Sequence, residues 1–274
     1  MSRLLKADLY RMLKSRLTMI ALILAFAFPV VIVLMYVGIR AMAGLGEDVL
    51  GSELLFNANT VIGSAYSLTN NIGLVIPAFA GILVCADYTN GTLRNKVIAG
   101  NRRTEIYLSH LLVSILFTVV VVTIYVAMTT ALSLLLLPFN RDPSMQLGRE
   151  IFRFVAYGTM TFAFIATVST LLAMTLRSIA PTIIFTIILA IVLLAVDSVL
   201  SLIDYTEYRY LVYFIPTFGS NFFNLSSSNL LGMLSATAEQ STATIFAEGM
   251  LSYLFFGVVN TVIGLLVFNK RDVK

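Results

Sequence analysis

The sequence predicts an all-α integral membrane protein, and three observations carry that prediction. Of its 274 residues 59% are hydrophobic and only 12% charged, against about a quarter in soluble domains. The mean hydropathy is +0.93. The apolar runs are long enough for helices crossing a hydrocarbon core of about 30 Å, and they lack the alternation of membrane β-strands.

The first run, Leu17 to Val37, spans the core at 1.5 Å per residue. Arg3, Lys6, Arg11, Lys14 and Arg16 precede it and Ala25-Phe26-Ala27 imitates a cleavage site, but the run continues well past that site, so a spanning helix is expected rather than a signal peptide. Further spans are expected at about 65–86, 106–137, 152–176, 179–203 and 249–268, six in all with the first. The third exceeds a perpendicular crossing, so it tilts or projects before Pro138 stops it. Residues 1–274 form a single transmembrane domain without linker, repeat or soluble module.

Ahead of span 1, Leu5, Leu9, Met12 and Leu13 recur at helical spacing, with the basic residues elsewhere around the helix. Residues 1–16 are therefore expected to lie along the inner leaflet, their cations reaching anionic lipid headgroups. Of the 18 lysines and arginines, thirteen fall on the side of the termini and five on the other. Both termini are expected to be cytoplasmic. The long connection from Asp204 to Glu248 then lies outside, and its Phe222-Phe223 and Leu230-Leu231 fit either short re-entrant helices or a structured loop.

Composition excludes more chemistry than it offers. One cysteine, Cys85, and one histidine, His110, supply neither a disulfide framework nor a Cys/His metal cluster. No nucleophile with its base, no paired-carboxylate site and no G-x-x-x-x-G-K-[ST] loop can be assembled, so no enzyme is expected and ATP must act through a partner. The net charge of +4 is explained by topology and calls for no nucleic acid. In the spans, Asp197 is the clearest ionisable residue, while Asn70 and Asn71 in span 2 and Thr182 and Thr186 in span 5 could line a polar path or join helices.

Between spans 2 and 3 the chain reads DYTNGTLRNKVIAGNRR. Thr92 is placed to cap a short helix with Leu93, Val97 and Ile98 on one side and Arg94, Asn95 and Lys96 on the other, Gly100 stopping it. Thr104 and Glu105 read as the cap of span 3.

On Asp87, Asn90-Gly91-Thr92-Leu93, Gly100-Asn101-Arg102-Arg103, Ile106-Tyr107 and Ser109, and on the ending Phe268-Asn269-Lys270-Arg271-Asp272, the sequence resembles the ABC-2 type permease family, membrane subunits of ATP-driven exporters. It departs from that pattern in having Asp87 where glutamate is usual and no proline before Arg102. The resemblance implies that residues 92–99 are a coupling helix docking in a groove of a cytoplasmic ATPase. Leu93 and Val97 would fill that groove, and Arg94, Lys96, Arg102 and Arg103 would make polar contacts with the ATPase or lipid. It further implies two permeases, identical or paralogous, with two ATPases that bind ATP and Mg. The path between spans 2 and 5 would carry a hydrophobic or amphipathic substrate such as an antimicrobial peptide, drug or lipid-like molecule, with Asn70, Asn71 and Asp197 along it. An ion-coupled carrier or channel, with Asp197 as coupling carboxylate, is the competing reading, and a non-transporting membrane scaffold or intramembrane enzyme a third.

Overall fold

The computed structural model describes residues 2–43, 58, 61–62, 65, 71–138, 147–200 and 238–270. Their regular structure is entirely helical: α1 (Ser2–Lys14), α2 (Arg16–Ala43), α3 (Asn71–Thr89), α4 (Thr92–Ile98), α5 (Arg103–Leu136), α6 (Leu147–Leu176), α7 (Ile179–Leu200) and α8 (Ala238–Lys270). Among the described residues four stretches are long and apolar enough to cross a membrane: Arg16–Met42, Arg103–Leu136, Val155–Leu176 and Phe246–Lys270. The expected second and fifth spans correspond to α3 and α7, whose described apolar stretches, Ala78–Thr89 and Ile179–Leu189, are shorter. Helices of this kind make the chain a multi-pass membrane protein in type. Residues 204–237 of the expected outer connection, 201–203 of the expected fifth span, and Asn70 lie outside the described residues.

α5 is the central post. Its 34 residues would extend about 51 Å, and α1, α2, α3, α6 and α8 all pack on it. Buried Phe117, Val121 and Tyr125 of α5 meet Ile76 of α3 and Phe162 of α6 in the main core. A second core at the end carrying α1 and α4 joins Leu4, Val84, Leu93, Tyr107, Met174 and Phe268. Since Leu4 and Phe268 belong to the first and last helices, both ends of the described chain lie at this one end of the bundle. The exposed surface of α2 and α8 is apolar, with Met19, Ile23 and Val31 on one and Leu251, Phe255 and Val258 on the other, as suits lipid-facing helices.

Close approach requires small residues at several described glycines, Gly264 and Gly81 among them. A methyl group built on Gly264 of α8 would fall on the phenol of Tyr107, and one on Gly81 of α3 would come within 2.9 Å of the Thr182 methyl of α7.

The structure turns α1 differently from the expected orientation. Its inward stripe is Leu4, Asp8 and Met12, all buried, with Leu5 and Leu9 partly covered, whereas Leu13 is exposed. The stripe is spent on the protein's own core, so α1 rests on α5. A tight corner then joins α1 to α2. The Ser15 hydroxyl accepts from Leu17 N–H at 3.2 Å, and the Thr18 hydroxyl donates to the Met12 carbonyl at 2.5 Å.

Two caps also differ. α4 begins after Gly91, whose left-handed φ of 66° suits glycine, and the Thr92 hydroxyl donates back to the Asp87 carbonyl at 3.1 Å instead of capping. α5 begins at Arg103 after an extended Arg102, ahead of the expected Thr104 cap.

Candidate functional site

Asp8 and Arg11 of α1, Asp87 of α3, Lys96 of α4 and His110 of α5 converge at the same end of the bundle. The α1 period carries Asp8 inward between Leu4 and Met12. Asp87 lies in the last turn of α3, one residue beyond the expected span. The left-handed turn at Gly91 then folds α4 back so that Lys96, five residues later, returns over Asp87.

The Lys96 ammonium lies at the centre. It donates to Asp8 Oδ1 at 2.6 Å and Asp87 Oδ2 at 3.0 Å, and it sits 3.0 Å from His110 Nε2. The ammonium thus faces two carboxylate oxygens and a ring nitrogen from three different helices. The second oxygen of Asp8 accepts from the Ser109 hydroxyl at 2.7 Å. Arg11 closes the outer side, pairing with Asp87 and reaching the Thr92 hydroxyl at 3.3 Å. Asp8, Asp87 and His110 are each at most 3% exposed, and Lys96 is partly buried. Buried charges persist only when paired in this way.

Burial alone would raise the Asp87 carboxyl. The hydrogen bond and charge of His110, the hydrogen bond from Arg11 and the charge of Lys96 outweigh it and hold the group well below the usual carboxylate range. His110 Nε2 is also 3.1 Å from Asp87 Oδ2. That nitrogen can serve one neighbour at a time, accepting from Lys96 with its lone pair or donating to Asp87 with a proton.

The ligand atoms of Asp8, Asp87 and His110 lie within 4.8 Å of one another, a donor set of the kind that binds divalent metals. Here the ammonium of Lys96 already lies against all three. A metal at that point would meet a fixed positive charge, so the residues form a lysine cage.

Several expected roles change accordingly. Lys96 faces inward and is not part of an outer polar surface. Leu93, 1% exposed, is packed with Val84, Ile106 and Tyr107, so it cannot fill a groove on another protein in this conformation. Val97 is half-buried beside it. Arg103 donates to the Asn269 carbonyl of α8 at 3.0 Å. What α4 and its flanks present outward is Ile98, 72% exposed, with Arg94 and Arg102. Asn90 is exposed, and Gly100, with φ 82°, ends α4 as expected.

Along the expected path, Thr182 and Thr186 are buried, and their hydroxyls donate to the carbonyls four residues back, those of Ser178 and Thr182, both at 2.7 Å. Thr182 also lies 3.2 Å from Cys85 Sγ, where it joins α7 to α3. Asn71 and Asp197 fall on α3 and α7 by backbone; their side chains lie outside the described part.

Sequence reasoning missed Asp8, Arg11, Ser109 and His110 as members of one site. A signal was present in Asp8, the one acid in a 13-residue basic helix and on the same face as Leu4 and Met12.

The fold and site together define an all-helical, multi-pass membrane protein whose short α4 is locked to its first helix through buried charge. The family model described as "Protein of unknown function (DUF2705)" matches residues 57–274, well over half the chain, and the chain belongs to that family. Asp87, Lys96 and His110 fall within the matched region, and Asp8 and Arg11 precede it. No curated protein matches the chain.

Proposed function

We propose that this chain is the permease subunit of an ABC-2 type exporter, with α4 as the lever on which a separate ATPase acts. The observation that carries this reading is the way α4 is mounted. It is bracketed by left-handed Gly91 and Gly100, fastened from behind by Leu93 and the Lys96 cage, and presents Ile98 outward between Arg94 and Arg102. A short helix held rigidly on one side and offering an apolar knob flanked by cations on the other suits docking against an acid-rimmed groove.

In this reading six spans cross the cytoplasmic membrane with both termini cytoplasmic, and the sharing of one core by Leu4 and Phe268 supports an even number of crossings. Two permeases, identical or paralogous, pair with two ATPases, which carry the ATP and Mg. Closure of the ATPases pushes α4, and the cage passes the displacement to α1, α3 and α5 together. A hydrophobic or amphipathic cargo, a peptide, drug or lipid-like molecule, moves between spans 2 and 5 past Asn70, Asn71 and Asp197, while Thr182, against Cys85, holds those spans to each other.

The test is purification of the tagged chain from its native membrane in mild detergent. A nucleotide-binding ATPase should co-purify at near-equal stoichiometry and be lost from Ile98→Asp, whose site is already in contact with water. Leu93→Asp would instead place a charge in the core and is no test of docking. A well-folded chain that purifies alone, or an ATPase held equally by Ile98→Asp, would overturn the proposal.

A further inference from the structure

Beside the cage, a cavity of ≈ 290 Å³ opens between α1, the start of α2, the end of α3 and α5. Its walls change from the outside in. Arg11 and Lys14 at the open side are exposed cations, whereas Met12, Val84 and Val113 further in are buried and apolar. Leu17 and Leu83 extend the apolar wall.

Within that lining, the hydroxyl of Ser114 is the telling group. Ser114 is 1% exposed, and its Oγ has no hydrogen-bond partner. Other hydroxyls of α5 behave differently: Thr118, Thr129 and Ser133 donate to carbonyls four residues back at 2.9, 2.8 and 2.6 Å. A buried hydroxyl left unpaired is costly, and Ser114, a lining residue whose Oγ is covered, needs only a turn about χ1 to offer its proton to an occupant carrying an acceptor.

Charge at the site favours an anion. Asp8 and Asp87 also line the cavity, but Lys96 and Arg11 neutralise them. Lys14 remains as an excess cation, resting 4.7 Å from the Tyr10 ring, and Arg3, Lys6 and Arg16 are exposed nearby in sequence. The volume lies at the lower limit of about 300–1,000 Å³ for pockets that enclose drug-sized ligands. It suits a headgroup with the first carbons of a chain, not a whole cargo molecule.

We propose that this cavity seats one anionic phospholipid of the leaflet beside α1. The phosphate lies on Lys14 and the open edge of Arg11, an ester carbonyl accepts from Ser114, and the chain follows Met12, Leu17 and Val113. Basic pockets between membrane helices on the cytoplasmic side take lipid headgroups by this combination. The proposal rests on the membrane reading and is independent of any ATPase. The bound lipid would act as a wedge joining α1 to α3 and α5, next to the cage.

The full chain in nanodiscs of phosphatidylcholine, doped with phosphatidylglycerol, provides the test. Native mass spectrometry after release counts retained lipid, and thermal unfolding is followed with added phosphatidylglycerol, phosphatidylcholine or inorganic phosphate. One phosphatidylglycerol per chain should be retained in preference to phosphatidylcholine, and Ser114→Leu, which fills the cavity, should lose it. Lys14→Gln should lower the preference roughly fivefold, the share of one interfacial cation. Because Lys14 is exposed, that variant decides the matter even if filling the cavity unfolds the chain. Equal retention of the two lipids, an unchanged preference in Lys14→Gln, or a thermal shift produced in full by inorganic phosphate would overturn the proposal. A chain that never enters the nanodisc would refute the membrane reading itself, which separates the two failures.

Discussion

The ammonium of Lys96 lies 2.6 Å from Oδ1 of Asp8, a partner 88 residues away on the first helix. This pair ties the short α4 to α1, and Asp87 and His110 complete the enclosure. Removing one member leaves a buried charge without its counterion, at a cost of about 3–5 kcal/mol when burial is complete and less where one partner is partly exposed. Asp8→Asn and Lys96→Met should each lower the stability of the detergent-solubilised protein by roughly 2–4 kcal/mol. The double variant should lose clearly less than the sum. Denaturant titration of all four proteins measures the coupling, and strict additivity would show that the two side chains do not stabilise each other.

Asp87 makes stability depend on acid. Its folded carboxyl is held below the value of the unfolded chain, so its contribution is complete above the unfolded value of about 3.9 and disappears as pH falls through the folded one. The thermal midpoint of the wild type should therefore fall on acidification below about pH 4. Asp87→Asn should start lower at neutral pH and lack this part of the slope. Parallel profiles for the two proteins would show that Asp87 is not held by its cations.

Of the described glycines, Gly264 leaves the least room for a side chain, because the Tyr107 phenol fills that space. Gly264→Ala should push α8 away from α5 and cost about 1–3 kcal/mol, as overpacked cores do. The Tyr107 hydroxyl is buried without a hydrogen-bond partner, so Tyr107→Phe should be nearly neutral alone. Combined with Gly264→Ala it should recover part of the loss, because the ring carbons still obstruct the methyl group. Thermal unfolding of the three variants checks the order.

The ends of α4 depend on left-handed backbone at Gly91 and Gly100, with φ of 66° and 82° and open space where a side chain would project. Alanine at either position should cost about 1–2 kcal/mol through backbone strain alone, and asparagine less. Hydrogen exchange of the α4 amides should rise in the alanine variants while that of the α5 core stays unchanged.

Helical membrane character was legible because lipid demands long apolar runs, and runs are a local property. The described helices α2, α5 and α6 accordingly begin or end within a few residues of expectation at several boundaries, and Gly91 and Gly100 flank α4 where turn chemistry requires them. The expected sixth span started late: α8 begins at Ala238, because the polar Gln240, Ser241 and Thr242 are tolerated in a helix that projects past the apolar stretch.

The sequence by itself determined the composition, the apolar helices and the place of the short helix between two glycines. Tertiary structure alone decided what the faces of those helices meet. Seven residues of α4 make two turns, too few to establish a periodic face, so Leu93 and Lys96 turned inward and Ile98 outward only when α3, α5 and α1 were in place. Asp8 and Lys96 stand far apart in sequence, and helical periodicity specifies which residues share a face but not which distant charge will face them. The pairing follows from burial: once α1 packs Leu4 and Met12 against the bundle, Asp8 is carried out of water, and the opposite charge on α4 is what makes that position tolerable.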